Sequence, residues 1–389
     1  MAAATPLARR PTLAATPGTR LAYLPGLDGL RALAIVSVLL YHAGQSWLPG
    51  GFLGVELFFV LSGWLITTLL MADGAATLRS FWARRARRLL PALAVVLAVV
   101  PVATAVLAPQ VLGRARGDLL AALGYASNWY QILAGRPYFE TTGGPSPLQH
   151  LWSLAVEEQF YLIWPPLLLA GLAAIGRRAT GLVAAAGAVG ATVLMTALGD
   201  GPDPSRAYFG TDTRAGGLLA GAALALLWPH RAGDGAAGRW RVGGAGAADV
   251  VGAAALGALV TLFARTSEAS ADLYPWGFVR VWVLALVLIV LVSGPASGLT
   301  QVLGSVPVRW VGQRSYGMYL WHWPVISLSS RGDEVLPSGP GLLVAQAAIT
   351  AALAAASYRW VEMPVRAGAL GRAWAAWRAE RAARPQSWG

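Results

Sequence analysis

Apolar residues along this chain come in runs and do not alternate with polar ones. The runs approach bilayer length, about 17–25 residues for a spanning helix. They cover Leu30–Trp47, Gly51–Ala72, Leu89–Ala108, Leu151–Ile175, Leu182–Leu198, Ala215–Trp228, Ala248–Ala264, Phe278–Ser293, Val311–Ser329 and Leu342–Trp360. No alternation is long enough for a barrel strand. The pattern therefore predicts an all-α polytopic membrane protein with about ten transmembrane helices. The stretch Leu119–Leu133 is apolar but short, and Ser127, Asn128 and Gln131 interrupt it. It reads as an interfacial or re-entrant piece.

Composition agrees with the runs. The 389 residues are 56% apolar and only 12% charged, against about 25% charged in a soluble domain. An ordinary soluble enzyme is excluded, and so is a disordered chain, which would be poor in apolar residues. The absence of cysteine excludes disulfides, thiolate catalysis and cysteine-based zinc sites.

Charge sets the orientation. The net charge of +12 rests on 30 arginines with no lysine. A nucleic-acid partner is one reading of such an excess. Basic cytoplasmic loops are the better one in a chain this apolar. With ten spans and both termini in the cytoplasm, 22 of the 30 arginines fall inside and 12 of the 18 acids fall outside. Reading Leu119–Leu133 as a full span would reverse every later loop and spoil this bias. The expected setting is the cell's inner (plasma) membrane. Residues 1–25 read as a cytoplasmic tail without the layout of a signal peptide. Residues 26–364 read as the membrane domain. Residues 365–389 read as a basic cytoplasmic tail, with Trp374 and Trp377 anchoring a helix on the inner leaflet.

Against this background the ionisable residues within spans stand out, since each is costly in a bilayer and marks function by default. Arg31 and His42 lie eleven residues apart on one predicted helix. That is roughly 16 Å along the axis, with both near one face. Arg31 can be a snorkelling boundary residue or a cationic anchor. His42 can be a packing histidine or a general base, whose ordinary pKa near neutrality suits proton transfer. Glu56 enters the next span after a short turn. His42 is its nearest candidate partner, which it could orient as the acid does in hydrolase triads. An arginine partner is the alternative.

The run Phe81-Trp82-Ala83-Arg84-Arg85-Ala86-Arg87-Arg88 opens the third span. Topology accounts for part of it. An anion site is the other reading, with Arg85 and Arg88, or Arg84 and Arg87, sharing a face near a helix N-terminus. In His150-Leu151-Trp152-Ser153-Leu154-Ala155-Val156-Glu157-Glu158 a histidine caps the outer end of a span. The two acids point different ways two turns further in. Asp212 and Arg214 mark another outer boundary. Tyr319 and His322 lie in Ser315-Tyr316-Gly317-Met318-Tyr319-Leu320-Trp321-His322-Trp323-Pro324, where His322 is a pocket candidate or a structural histidine. Walker A, His-Glu-x-x-His and Gly-x-Ser-x-Gly motifs are absent.

Taken together, these motifs resemble the acyltransferase 3 family of integral membrane O-acyltransferases. The resemblance rests on the Arg31–His42 spacing, GGFLGVELFFVLSG, the Arg-x-x-Arg before Pro91, HLWSLAVEEQFYLIWP and SYGMYLWHWP, in the family's order from residue 26 to about 364. It implies transfer of an acyl group, often acetyl from acetyl-CoA, to a hydroxyl of a glycan, a lipid or a glycosylated secondary metabolite such as a macrolide. It implies Arg31 and His42 as the essential pair of the first span. It also implies an arginine pair among Arg84, Arg85, Arg87 and Arg88 that serves the donor. Many relatives carry a fused extracytoplasmic domain, whereas this sequence stops after its last expected span, so a stand-alone membrane domain is expected here.

The expected assignment makes His42, Glu56 and Arg31 catalytic and gives Arg84, Arg85 and Arg88 to acyl-CoA. His150, Glu157, Glu158, Asp212, Arg214, Tyr319 and His322 are candidates for the acceptor site. No metal and no nucleic acid are expected. A transporter or flippase for a polar or lipid-linked substrate is the rival. It predicts inverted repeats, and the sequence shows none.

Overall fold

The structure is a computed structural model. It describes residues 23–72, 78–136, 145–199, 203–228, 245–294, 297–330 and 339–369, with helical positions 371, 372, 374, 377, 378 and 381 beyond them. Most of the N-terminal tail and the last eight residues lie outside the described residues.

All regular structure among the described residues is helical. The helices are α1 (Pro25–His42), α2 (Gly54–Ala72), α3 (Leu78–Leu107), α4 (Leu112–Leu123) and α5 (Ser127–Leu133). Then come α6 (Leu151–Ala174), α7 (Gly176–Gly199), α8 (Ser205–Phe209), α9 (Thr211–Leu227) and α10 (Ala245–Arg265). The last five are α11 (Phe278–Val292), α12 (Gly298–Leu303), α13 (Val306–Ser329), α14 (Pro340–Ser357) and α15 (Met363–Arg366).

Every apolar run read from the sequence falls on a helix. Six helical stretches are long and apolar enough to cross a bilayer: Gly51–Ala72, Leu78–Leu107, Gly176–Gly199, Gly246–Arg265, Leu273–Val292 and Pro340–Arg366. The other four expected spans are helices α1, α6, α9 and α13. They hold Arg31 and His42, then His150 at the cap with Glu157 and Glu158, then Arg214, then His322.

The solvent pattern is inverted relative to a soluble bundle. On α7, Leu182, Val183, Val189 and Val193 are all exposed, as are Val102 and Val106 on α3 and Leu162 and Leu167 on α6. An apolar outer coat over a partly polar interior is what lipid-facing helices require. The chain is a multi-pass membrane protein.

Two close helix approaches shape the interior. α2 lies against α9 at Gly63, where a Cβ would run into the backbone of Leu218. Gly221 returns the contact against the backbone of Val60. α13 lies against α1 at Gly312, packed on the backbone of Asp28. Small residues at such crossings let backbones meet. The aromatic core around Phe52, Phe59, Trp152, Tyr208, Phe209 and Phe278 is fully buried between these pairs.

The interrupted stretch Leu119–Leu133 folds as a bend between α4 and α5. Its polar residues face inward. Gln131 donates to Asp118 at 2.7 Å, and Asn128 donates to the Phe209 carbonyl and to Thr211. Gln159 of α6 donates to the Tyr125 carbonyl and to Asn128. These bonds pin the bend to α6 and α9, so Asn128 and Gln131, two of the residues that broke the apolar run, satisfy buried backbone and side-chain groups.

Candidate active site

A narrow cavity of about 60 Å³ opens among α1, α2, α3, α6 and α13. Its charged lining consists of Arg31, Arg85, Arg88 and Glu157, joined by Ser62, Ser153, Ser315, Tyr161 and Tyr319. Arg31 donates from Nε to Ser315 Oγ at 3.1 Å and stacks over Phe58. Arg85 lies over the Tyr161 ring, 3.1 Å from its centroid, and faces Glu158 at 3.7 Å. Glu157 accepts from Ser62 Oγ at 2.6 Å.

The balance of charge is basic. Arg88 has no carboxylate within ion-pair distance among the described residues, while Arg31, Arg85 and Arg366 all lie near enough to repel it. Glu157 and Glu158 offset part of this charge, and the guanidinium excess that remains can receive an anion. The helix turn decides between the two pairs left open by the sequence. Arg85 and Arg88 face the cavity, whereas Arg84 and Arg87 lie on the exposed face and bond within their own helix, to Ser80 and the Ala83 carbonyl. Arg84 thus stands away from the candidate donor site. Arg366 was read in the sequence only as a tail charge.

The far end of the cavity is closed by Tyr319 and Ser153. Their hydroxyls lie 2.5 Å apart, and Tyr319 Oη donates to the His150 carbonyl at 2.7 Å. Directly beyond is a cluster of three imidazoles. His322 lies 5.2 Å from the Tyr319 ring, 5.1 Å from His42 and 5.5 Å from His150, centroid to centroid. His322 Nε2 is 3.2 Å from His42 Nδ1. His322 and His150 are buried, and His42 is half-buried at the end of α1. Arg31 and His42 therefore sit at opposite ends of one polar path running from the basic cavity through Tyr319.

Glu56 takes different partners from the one expected of it. Its Oε1 is 2.6 Å from Arg214 Nη2, and its Oε2 accepts from Trp282 Nε1. Both charged groups are wholly buried. The Arg214 guanidinium is enclosed by the rings of Phe278, Tyr208, Trp152 and Phe59 at 4.4–5.7 Å. Inside a protein a carboxylate is better matched by a full opposite charge than by a neutral ring. Residue 56 points from α2 toward α9 and α11, away from α1. The expected roles of Glu56 in orienting His42 and of Arg214 in holding an acceptor are corrected on this geometry.

Asp212 also stands apart from the cavity. Arg206 forks onto both of its carboxylate oxygens at 2.8 and 2.6 Å, ahead of the apolar run of α9. That fork holds the Asp212 carboxyl below the usual carboxylate range. Among the described residues no group of histidines and acids is arranged to hold a metal ion.

The family model for the acyltransferase domain matches residues 24–359. The chain belongs to this family. Acyltransferase-family relatives include a peptidoglycan O-acetyltransferase of Listeria monocytogenes, 40% identical over 350 residues, covering 88% of this chain and 56% of the relative. A protein named as a putative peptidoglycan O-acetyltransferase of Bacillus subtilis is 42% identical over 350 residues, covering 88% and 55%. A putative O-acetyltransferase of Staphylococcus aureus strain COL is 37% identical over 358 residues, covering 89% and 58%. The chain thus spans little more than half the length of these acyltransferase-family relatives. No solved structure matches it.

Proposed function

We propose that the protein is a membrane O-acetyltransferase that moves acetyl from acetyl-CoA to a hydroxyl of a cell-surface glycan, with peptidoglycan the first candidate. The observation that carries this reading is the line of polar side chains that leads from the arginine-lined cavity through Tyr319 and Ser153 to the histidine cluster at His42. Arg85 and Arg88 hold the donor's phosphates, and Arg31 supports its inner end. The acetyl thioester lies toward Tyr319 and Ser153. The acceptor hydroxyl approaches on the half-buried side of His42.

His42 takes the hydroxyl proton as the oxygen attacks the thioester carbonyl. The new C–O bond forms, the C–S bond breaks, and the CoA thiolate regains a proton from the imidazolium. A base so placed contributes about 10²–10⁴-fold. The basic cavity faces the cytoplasm, where acyl-CoA is made, if the arginine bias sets the topology. The names of two relatives support the glycan, and the inner membrane fits both substrates.

The test is CoA release by the purified protein in detergent with acetyl-CoA and a glycan acceptor. Wild type should release CoA only when acceptor is present. His42→Ala should fall to background while remaining folded and membrane-inserted. Full activity in His42→Ala would overturn the assignment. Ester-linked acetate on glycans from cells with and without the gene identifies the acceptor.

A further inference from the structure

A cavity of about 60 Å³ holds only a few water-sized groups. It admits the acetyl thioester and the slim arm behind it, but not a nucleotide. Tyr319 and Ser153 close its far end, so the nucleotide of acetyl-CoA must lie outside, at the arginine end. The donor carries its charge in two places. A diphosphate joins the arm to the nucleoside, and a 3′-phosphate sits on the ribose beyond it. Arg85 and Arg88 line the cavity and suit the nearer group. The outer phosphate needs a further cation, placed beyond Arg88 and open to water.

The segment after α14 supplies one. The backbone makes one π-helical turn, Tyr358–Glu362, and continues as α15. Glu362 is buried. It lies against α13 at Gly317, where a Cβ would stand 3.4 Å from its Oε1, and that oxygen accepts from Ser357 Oγ at 3.3 Å. This anchor sets the next turn against α3. Arg366 follows Glu362 by four residues and so leaves the backbone on the same side. It lies near enough to Arg88 for the two cations to repel. Its side chain is exposed, its Nη1 contacts the Met363 sulfur at 3.9 Å, and among the described residues no carboxylate is within ion-pair distance of it. Arg314, also near Glu362, is engaged elsewhere. Its guanidinium lies over the rings of Trp310 and Tyr358 at 4.3 and 4.7 Å and donates to the Trp310 carbonyl. Half-buried Arg88 and exposed Arg366 thus repel each other until an anion joins them.

We propose that Arg366 binds the 3′-phosphate of acetyl-CoA, while Arg85 and Arg88 hold the diphosphate. This rests on the reading of acetyl-CoA as the donor. It makes the segment after the last apolar helix part of the donor site. It also gives the protein a means of telling a CoA thioester from a pantetheine thioester that carries no ribose phosphate. Arg366 is a binding residue remote from the reacting atoms.

The test compares acetyl-CoA with acetyl-3′-dephospho-CoA, which differ by that one phosphate, on the full-length protein in lipid nanodiscs. Wild type should bind acetyl-CoA roughly tenfold more tightly, the low end for a hydrogen bond between charged groups because the site is open to solvent. Arg366→Ala should erase this preference. Its Kd and KM for acetyl-CoA should rise roughly tenfold, and those for the dephospho donor should stay at the wild-type values. Arg366→Lys, which keeps the charge without the fork, should keep part of the preference. Arg88→Ala should weaken both donors alike.

Equal affinity of wild type for the two donors overturns the inference and leaves acetyl-CoA as the donor. A preference that survives in Arg366→Ala overturns it too, as does a loss in that variant that is equal for both donors. A preference lost in Arg87→Ala instead would move the 3′-phosphate to the outer face of α3 and overturn the assignment. A wild type that binds neither donor overturns the acetyl-CoA reading itself, and the inference with it.

Discussion

Glu56 and Arg214 show how a buried charge chooses its partner. The two residues come from α2 and α9, far apart in the chain, yet their carboxylate and guanidinium meet at 2.6 Å with no exposure. Glu56 is close in sequence to His42, which made the histidine its obvious neighbour. Sequence distance was a poor guide because partners inside a bundle depend on helix rotation, and a full cation outweighs a neutral ring. The same limit hid the contact between His42 and His322, 280 residues apart. What the sequence did make legible was which residues were unusual: Arg31, His42, Glu56, Arg85, Arg88, Glu157 and His322 all stand out as polar groups in or beside apolar runs. The serines and tyrosines of the cavity, Ser62, Ser153, Ser315 and Tyr161, carry no such signal, because they are common on any helix.

A prediction follows for the ion pair. Glu56→Gln leaves the caged Arg214 cation without its counter-charge and should cost about 3–5 kcal/mol of stability. The check is thermal unfolding of the purified protein. Replacing both partners, Glu56→Leu with Arg214→Met, should restore most of the melting temperature and measurable acetyl transfer. A double variant that folds like wild type but is inert would return Glu56 to the chemistry.

Hydropathy does not separate the helices that carry the site from those that only span. The six stretches apolar enough to cross a bilayer include α7, α10 and α14, but also α2 and α3, which bring Ser62, Arg85 and Arg88 to the cavity. The expected spans outside that set are α1, α6, α9 and α13, and these bear His42, Glu157, Arg214 and His322. Contacts between these elements are held by small residues. Gly63 faces backbone atoms of Leu218, which cannot swing aside as a side chain can. Gly63→Val should therefore separate α2 from α9 and cost about 1–3 kcal/mol or more. The loss should appear as a lower unfolding temperature. It should also appear as reduced kcat, because α2 carries Ser62 into the cavity and Glu56 into its ion pair. Unchanged unfolding would mean that the helices do not meet at this glycine.

The whole molecule poses a question of sidedness, because the proposed donor and acceptor reach His42 from opposite ends of one path. The structure ties several loops to one end of the bundle. Tyr41 at the end of α1 donates to Glu268 at 2.8 Å, and Gly50 donates to the Phe263 carbonyl at 2.8 Å. The α1–α2 turn and the segment after α10 therefore share a side. Arg31, Arg85 and Arg88 gather toward the other, with the arginine-rich ends of α1 and α3. If the arginine bias sets the orientation, the His42 end faces outward and the basic cavity opens inward. The chain's lack of cysteine makes this directly measurable. Single Ser46→Cys and Ala269→Cys variants should react with a membrane-impermeant maleimide in intact cells. Arg178→Cys, in the first turn of α7, should react only after permeabilisation. Each residue is exposed or at a helix end, so a failure to label reflects sidedness. The reverse pattern would place His42 on the cytoplasmic side, and a surface glycan could then no longer be the acceptor.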